Sequence, residues 1–172
     1  MGRNVDIKAR VDDSGELRAR VEAMADGPVE VLDQRDVFFH APEGRLKLRT
    51  FPDGRGELIA YRRPDATGPA LSDYRIHRTE APESLEGFLA ELFGIRGEVR
   101  KCRLLYLIGQ TRVHLDEVEE LGDFIELEVV LSDDQTEEDG AQIAERILGN
   151  LGLSGAERIA CAYIDLLEGA QG

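Results

Sequence analysis

Apolar and polar residues alternate along many short stretches of this 172-residue chain. In residues 4–11 every odd position is apolar and every even position is polar. Because alternate side chains of a β-strand point to opposite faces, this pattern predicts a half-buried strand. The same kind of pattern, bounded by turns, predicts further strands at residues 29–40, 45–51, 56–63, 71–79, 99–108, 110–118 and 124–131.

Apolar residues recur at helical spacing in four other stretches. These predicted helices lie within residues 13–27, 82–94, 136–151 and 160–167. Short turns join most of the strands and no regular strand–helix–strand alternation is present, which indicates a mainly antiparallel sheet. Eight antiparallel strands commonly close into a barrel. We therefore predict one domain over residues 1–172 with an α+β, mainly β fold: a closed eight-stranded antiparallel barrel with flanking helices.

Positive charges follow the same alternation, although the chain carries a net charge of -14. Cations occupy every second position in three predicted strands: Lys8 and Arg10; Arg45, Lys47 and Arg49; Lys101 and Arg103. Such faces could be solvated outer surfaces with ion pairs, or they could line the interior of the barrel. We favour the interior, because cations dominate several strands of an acidic protein. Crowded cations repel one another, so a shared face is expected to bind an anion.

Carboxylates occupy one face of the last predicted strand. Glu126 and Glu128 are two residues apart, so they lie close enough to share a hard cation. Mg²⁺ and Mn²⁺ take oxygen ligands and bridge phosphates, whereas the alternative for these carboxylates is an ion pair with Lys or Arg. The three histidines, at positions 40, 77 and 114, show no metal-ligand spacing, and we expect them to be structural. Tyr163 is expected to be a packing residue.

The composition of the chain limits the classes of molecule that the protein is expected to bind. The acidic net charge argues against a nucleic-acid surface and against binding to anionic membranes. Cys102 and Cys161 belong to no CxxC pair, which argues against a zinc site and fits a reducing cytoplasm. No apolar stretch reaches the roughly 18 residues that span a bilayer. We therefore expect a cytoplasmic protein with a small-molecule partner, neither nucleic acid nor membrane.

Several motifs, taken in order, resemble the CYTH superfamily, which includes class IV adenylate cyclases, thiamine triphosphatases and inorganic triphosphatases. Residues 4–8 look like the ExExK signature of that family, and residues 34–39 resemble the QxDxFF segment of its cyclase branch. Residues 162–167 are similar to its YxDLL ending. Its basic third strand and its late-strand pattern are matched by residues 44–49, 100–103, 111–118 and 122–130.

The resemblance implies a closed tunnel whose cations bind a triphosphate and whose acidic residues bind Mg²⁺ or Mn²⁺. The implied phosphate-binding residues are Lys8, Arg10, Lys47, Arg49, Arg62, Lys101, Arg103 and Arg112. The implied metal ligands are Asp6, Glu126 and Glu128, with Asp116 as a further acidic residue. Lys8 is also the catalytic candidate, because crowding that lowers its pKa would let it help to activate water.

The chain departs from the family signature at its first strand. Where ExExK has two glutamates, this sequence has Asn4 and the shorter Asp6. We therefore do not expect a second metal at this end, and Glu126 and Glu128 would hold one metal alone. The expected activity is hydrolysis of a nucleoside, thiamine or inorganic triphosphate, since hydrolysis demands least of the site. The alternatives are a class IV-type adenylate cyclase and, given Asn4, a non-catalytic polyphosphate- or nucleotide-binding module. A monomer or a homodimer is expected.

Overall fold

The structure, a computed structural model, describes residues 2–171, so Met1 and Gly172 of the predicted domain lie outside the described residues. The strands are β1 (Gly2–Arg10), β2 (Glu30–Phe39), β3 (Arg45–Thr50), β4 (Gly56–Arg62), β5 (Ala70–Thr79), β6 (Ile95–Ile108), β7 (Thr111–Val118) and β8 (Gly122–Val130). The helices are α1 (Ser14–Met24), α2 (Pro82–Phe93), α3 (Glu137–Asn150) and α4 (Tyr163–Gln171).

The strands close into a barrel in the order β1-β5-β4-β3-β2-β6-β7-β8. Every neighbouring pair is antiparallel, and β1 pairs with both β5 and β8. Closure leaves no free strand edge in the barrel. The predicted α+β fold, a closed eight-stranded antiparallel barrel with flanking helices, is confirmed.

One strand boundary differs clearly from the prediction. β6 begins at Ile95 rather than at residue 99, directly after Gly94, whose φ of 74° ends α2. A register shift between Phe38 and Phe39 lets Phe39 pair with Ile95. Residues 95–98 also alternate, with Ile95 and Gly97 separated from Val99 by charged residues, so the prediction began this strand too late. In addition, α1 ends at Met24, before Gly27, and α4 continues beyond residue 167.

Apolar faces of the strands point out of the barrel and are covered by helices. Val5, Ile7 and Leu127 belong to a buried cluster that also contains Val21 of α1 and Leu148 of α3. A second group on β2 and β3 packs against α2. Because adjacent residues of a strand alternate between faces, covering the apolar outer face turns the charged face inward. Among the described helices, none is long and apolar enough to cross a lipid bilayer.

Helix α4 and the residues before it cover one end of the barrel. Phe38 and Val99, which face the interior, are buried in a cluster with Tyr163, Ile164 and Leu167. The preceding backbone meets the interior directly, since the Lys8 Nζ donates to the Cys161 carbonyl oxygen at 3.3 Å. The interior is therefore covered at this end by protein.

A pair of glycine substitutions tests how α3 packs on the barrel. A Cβ at Gly140 would lie 2.6 Å from Val5 Cγ2 and 2.8 Å from Leu131 Cδ2, whereas nothing lies within 4 Å of a Cβ at Gly87 in α2. Gly87→Ala should raise the free energy of unfolding by about 0.5–1 kcal/mol through helix propensity. Gly140→Ala should lower it, because overpacking costs about 1–3 kcal/mol. Urea unfolding measures both, and equal stabilisation would contradict the packing described.

Candidate active site in the barrel interior

The barrel encloses a cavity of about 470 Å³, within the range of about 300–1,000 Å³ that is usual for small-molecule sites. Its cationic lining residues are Lys8, Arg45, Lys47, Arg49, Arg55, Arg63, Arg78, Lys101, Arg103 and Arg112. Its acidic lining residues are Asp6, Glu30, Asp36, Glu57, Glu126 and Glu128. Cations therefore outnumber carboxylates in the cavity, although the whole chain is strongly acidic.

Most of the predicted phosphate-binding residues line this cavity, but two do not. The Arg62 side chain is 71% exposed and pairs with Glu43 outside the barrel. The Arg10 guanidinium stacks over the Phe124 ring and donates to the Leu121 carbonyl oxygen. Neither residue belongs to the cavity lining, so both assignments need correction. The others, which do line it, are Lys8, Lys47, Arg49, Lys101, Arg103 and Arg112.

Arg63 takes the place that the sequence assigned to Arg62. The inward phase of β4 runs through Ile59 and Tyr61, so the next inward position is residue 63. The Arg63 side chain is 6% exposed, and its Nε lies 4.0 Å from Asp6 Oδ2. Its Nε and Nη2 atoms are buried without a hydrogen-bond partner among the described residues. Unsatisfied buried guanidinium donors are costly, which makes this side chain suited to an incoming anion.

Asp36 connects three cations of the cavity. Its carboxylate accepts hydrogen bonds from Lys47 Nζ at 2.9 Å, from Lys101 Nζ at 3.0 Å, and from Arg49 Nε and Nη2 at 2.8 Å each. Burial alone would raise the pKa of Asp36, but Arg49 and the two lysines hold it well below its usual value. One buried carboxylate thus fixes three cationic side chains at the centre of the tunnel. The QxDxFF motif contained this residue, but its role was not predicted.

Lysine charges in this cluster are only partly balanced. Burial is the largest influence on Lys101 and lowers its pKa to about 7, with Arg49 and Arg103 contributing in the same direction. Burial and the adjacent Arg49 also lower the pKa of Lys47. Since three positive groups share one carboxylate, an anion in the cavity would favour their charged forms.

Asp116 anchors Arg103 and does not lie in the metal-binding position that was predicted for it. Its two oxygens accept from Arg103 Nε and Nη2 at 2.7 Å, and its Oδ2 also accepts from the Tyr163 hydroxyl at 2.7 Å. Burial opposes ionisation, yet Arg103 lowers the pKa of Asp116 to about 2. Tyr163 was expected to be a packing residue only, but the Lys8 Nζ also lies 4.0 Å from the centre of its ring in a cation–π contact. Asp116 and Tyr163 therefore position tunnel cations.

Acidic residues gather where β1, β8 and β7 adjoin, and this acidic wall also contacts arginines, since Arg103 donates to Glu126 at 3.0 Å and Arg112 donates to Glu128 at 2.8 Å. Asp6 pairs in register with Glu128, and Glu126 pairs with both Lys8 and His114. Ligand atoms of His114, Glu126 and Glu128 all lie within 4.8 Å of one another. His114, expected to be structural, lies within this group of carboxylates. No local spacing could have identified it, because its neighbours belong to another strand.

The pKa values of the carboxylates on this wall shift in different directions. Burial, together with Glu128 and Glu126, raises the pKa of Asp6 well above its usual value. Burial also acts on Glu126, but Lys8, His114 and Arg103 hold its pKa well below normal. Asp6 Oδ1 is buried and has no hydrogen-bond partner among the described residues. A divalent cation would supply this oxygen with a partner and favour the ionised form of Asp6.

Lys8 is a buried residue of β1, next to the carboxylates of the acidic wall. Its Nζ donates to the Cys161 carbonyl oxygen, and its neighbour across β8 is Glu126. Burial is the main cause that lowers its pKa, and Arg63 adds to this effect while Glu126 opposes it. Lys8 is therefore a buried amine with both cationic and acidic groups of the cavity close to it.

Replacing the carboxylate of Asp36 tests whether it holds the cationic cluster together. Asp36→Ala leaves three buried cations without their counter-charge, and removing one partner from a buried ion pair costs about 3–5 kcal/mol. Urea unfolding should show a loss of this size. Glu43→Ala breaks only the exposed pair with Arg62 and should change the stability by less than about 1 kcal/mol. Similar effects of the two substitutions would argue against this role of Asp36.

The fold and the sequence were compared with known proteins. The family model of the CYTH domain matches residues 2–163. A search of the curated proteins gave no significant match. The PH1012 protein from Pyrococcus horikoshii OT3 has a similar structure, with a TM-score of 0.85 and 24% identity over 95% of this chain and 98% of that chain.

Two further solved structures share the fold at lower identity. HpAC1 from Hippeastrum, named as an adenylyl cyclase and described as having a dominant triphosphatase activity, has a TM-score of 0.70 and 15% identity over 99% of this chain and 96% of that chain. The Pct1 RNA triphosphatase of Schizosaccharomyces pombe has a TM-score of 0.51 and 10% identity over 91% and 85%. With its closed barrel, its charged interior and a family match over nearly its whole length, the chain belongs to the CYTH family.

Proposed function

We propose that this protein is a metal-dependent triphosphatase, which hydrolyses a small-molecule triphosphate inside the barrel. The observation that carries the proposal is a buried interior that combines a cationic cluster around Asp36 with an acidic group of Asp6, Glu126 and Glu128. The cations would bind the phosphate chain, and the acidic group would bind a divalent metal. The HpAC1 protein, which shares the fold, is described as a triphosphatase, and this agrees with the proposal.

Phosphate binding is assigned to the side chains that face the cavity. Arg49, Lys47 and Lys101 form one group around Asp36, and Arg103 lies beside Asp116. Arg63 adds, near Asp6, two donor atoms that have no hydrogen-bond partner within residues 2–171. A triphosphate chain presents several negative oxygens, so separate cationic groups can bind it together and offset the charge that develops on the leaving group.

A metal would fit the acidic wall, because the buried Asp6 Oδ1 has no hydrogen-bond partner among the described residues and lies beside the carboxylates of β8. Asp6, Glu126 and Glu128 are the proposed carboxylate ligands, and His114 lies within reach of the two glutamates. A bound divalent metal would neutralise phosphate charge and orient the phosphate oxygens. Asn4 also faces the cavity, on the same face of β1 as Asp6, and as an amide it provides no negative charge there.

Lys8 is the proposed catalytic residue of the chain. Burial lowers its pKa, which favours Lys8 as the group that would accept a proton from a water molecule that attacks the terminal phosphorus. The bond between that phosphorus and the bridging oxygen then breaks, and the tunnel cations stabilise the departing diphosphate. The covered end of the barrel beside Tyr163 would exclude bulk water and strengthen these electrostatic interactions.

Adenylate cyclisation is the second candidate. Away from α4, partly exposed apolar and aromatic side chains line the cavity: Leu32, Phe51, Tyr74, Ile76 and Leu105. Such a surface can contact a nucleobase, as a nucleoside triphosphate would require. In that reaction the ribose 3′-hydroxyl would attack the α-phosphorus and pyrophosphate would leave. The same cationic cluster would serve both reactions, so the products distinguish them.

The charge of the protein and its thiols support a proposal for its location and its binding partner. Cys102 and Cys161 are free, which fits the reducing cytoplasm that we propose as its location. Its partner is proposed to be a free triphosphate rather than nucleic acid, because the outer surface is acidic. We expect it to act as a monomer or a homodimer.

Two adjacent arginines provide a matched test of the tunnel. Arg63 faces the cavity with unpartnered donors, whereas Arg62 is exposed outside the barrel. Arg63→Ala should lower kcat/KM for the accepted triphosphate by about 10²–10³-fold, since it removes a preorganised cationic donor. Arg62→Ala should leave kcat/KM unchanged. Thermal unfolding of both variants checks that the fold survives, and equal activities would oppose the proposed binding set.

The lowered pKa of Lys101 predicts how metal-free binding depends on pH. Its pKa of about 7 lies below that of an ordinary lysine, so the free protein loses this charge as the pH rises through 7. Bound tripolyphosphate favours the charged form, so at pH 8 binding should take up a proton at Lys101 and the affinity should be weaker than at pH 6. Calorimetry in two buffers of different ionisation enthalpy measures proton uptake.

Lys101→Met is the control for this prediction. Tripolyphosphate itself can exchange protons on binding, and the difference between the parent protein and this variant removes that contribution. The parent protein should take up more protons at pH 8 than the variant does. An identical proton balance would mean that Lys101 does not change its charge on binding.

A further inference from the structure

The inward face of β2 changes in character along the strand. Successive inward positions lie about 7 Å apart, because a strand rises about 3.3 Å per residue. Asp36 binds the cationic cluster, and the next inward residue, Phe38, packs at the end that α4 covers. In the other direction along β2, Leu32 lines the cavity, and so does Phe51, which follows β3. A ligand that extends outward from the cluster along β2 therefore meets residue 34 before it meets this apolar surface.

Gln34, between the two regions, is a buried amide with an unpaired oxygen. The residue is 5% exposed and lines the cavity, and its Oε1 has no hydrogen-bond partner within residues 2–171. Its register partner on β6 is Lys101, whose Nζ donates to Asp36 instead. Buried polar atoms are nearly always paired, so this acceptor at the edge of the cationic cluster needs a donor.

A phosphate group does not meet this need. Phosphate oxygens could accept from the amide nitrogen of Gln34, but they would leave Oε1 without a donor. A hydroxyl group both donates and accepts, so it matches the amide whichever end faces the ligand. The ligand group that suits Gln34 is therefore a hydroxyl attached at one end of the phosphate chain.

The groups of a nucleoside triphosphate follow the same order as the surfaces along β2. Its phosphates would lie beside the cluster around Asp36, its ribose hydroxyls would reach Gln34, and its base would contact Leu32 and Phe51. Tripolyphosphate ends in phosphate on both sides. Thiamine triphosphate joins its phosphates to its ring through an ethyl group that has no hydroxyl. Neither of these two compounds would satisfy the Gln34 oxygen.

We propose that Gln34 is a specificity-determining residue that binds a ribose hydroxyl, and that the substrate of the tunnel is a nucleoside triphosphate. A site that hydrogen-bonds a substrate hydroxyl discriminates against an analogue that lacks it, because the buried partner is then left unpaired. The inference rests on the proposed function, because it names the substrate class of the same tunnel.

Calorimetric titration of the metal-free protein with ATP and with tripolyphosphate tests this inference without turnover. Gln34→Met replaces the amide by an apolar side chain of similar length. It should weaken ATP binding by about 5–20-fold, the effect of losing one neutral hydrogen bond, and change tripolyphosphate binding by less than about twofold. Gln142→Met alters an exposed glutamine of α3 and should leave both affinities unchanged. Equal weakening of ATP and tripolyphosphate in Gln34→Met would overturn the inference.

Deoxy analogues of ATP test the same contact from the side of the ligand. Either 2′-deoxy-ATP or 3′-deoxy-ATP should bind the parent protein about 5–20-fold more weakly than ATP. Gln34→Met should abolish that difference, because the hydroxyl and the amide act through one contact. A merely structural role of Gln34 would leave the difference in place. The parent protein alone keeps the inference testable if the variant is unstable, since equal affinities for ATP and both analogues would also overturn it.

The two proposals can fail separately. If a triphosphate is hydrolysed but the parent protein binds ATP and its deoxy analogues equally, the triphosphatase proposal stands and the inference about Gln34 is refuted. A higher kcat/KM for tripolyphosphate or thiamine triphosphate than for ATP would have the same meaning. If the binding differences appear but no triphosphate is consumed, the contact with Gln34 stands and the proposed hydrolysis fails.

Discussion

Pairing of buried cations with a few buried carboxylates is the interaction on which the rest of this structure depends. Asp36 binds three cationic side chains and Asp116 binds Arg103, so positive charge is held in the interior of a small barrel. Removing such charges from water is costly, and these pairs offset the cost only partly. The remaining excess of cations makes the interior receptive to a polyanion, and burial, with neighbouring cations adding to it, lowers the pKa of Lys101 and Lys8.

The outer layers make this interior possible. Helices α1, α2 and α3 cover the apolar faces of the strands, and closure of the sheet removes every strand edge. Helix α4 covers one end, where Tyr163 supports Lys8 and shares Asp116 with Arg103. Packing outside the barrel and electrostatics inside it therefore depend on each other, because a slip of one residue would exchange the two faces of a strand.

Much of this arrangement follows from local sequence patterns, because alternation along a strand is a local property. The inward direction of Lys8, Lys47 and Lys101 was predicted in this way. Arg62 was assigned in place of Arg63 because the alternation loses its phase near Pro64, where the strand ends. An error of one position at a strand end moves a charge from the interior to the solvent.

Contacts between distant strands could not be predicted from a single sequence. Asp36 and Lys101 are 65 positions apart, and His114 contacts its glutamates only through the pairing of β7 with β8. The family resemblance suggested Asp116 as a further acidic residue at the metal, but its partner Arg103 is set by the register between β6 and β7. The family motif marked Asp36 without indicating what it binds. Long-range register, rather than residue type, decided each of these roles.

Identification of the products is the most direct test of the central claim that this tunnel hydrolyses triphosphates. ATP, tripolyphosphate and thiamine triphosphate would each be incubated with the metal-loaded protein, with Mg²⁺, Mn²⁺ and Co²⁺ tested separately, and the products would be resolved by phosphorus NMR. We expect orthophosphate and the matching diphosphate from at least one substrate. Cyclic AMP with pyrophosphate, or unchanged substrates that nevertheless raise the thermal stability of the protein, would contradict the claim.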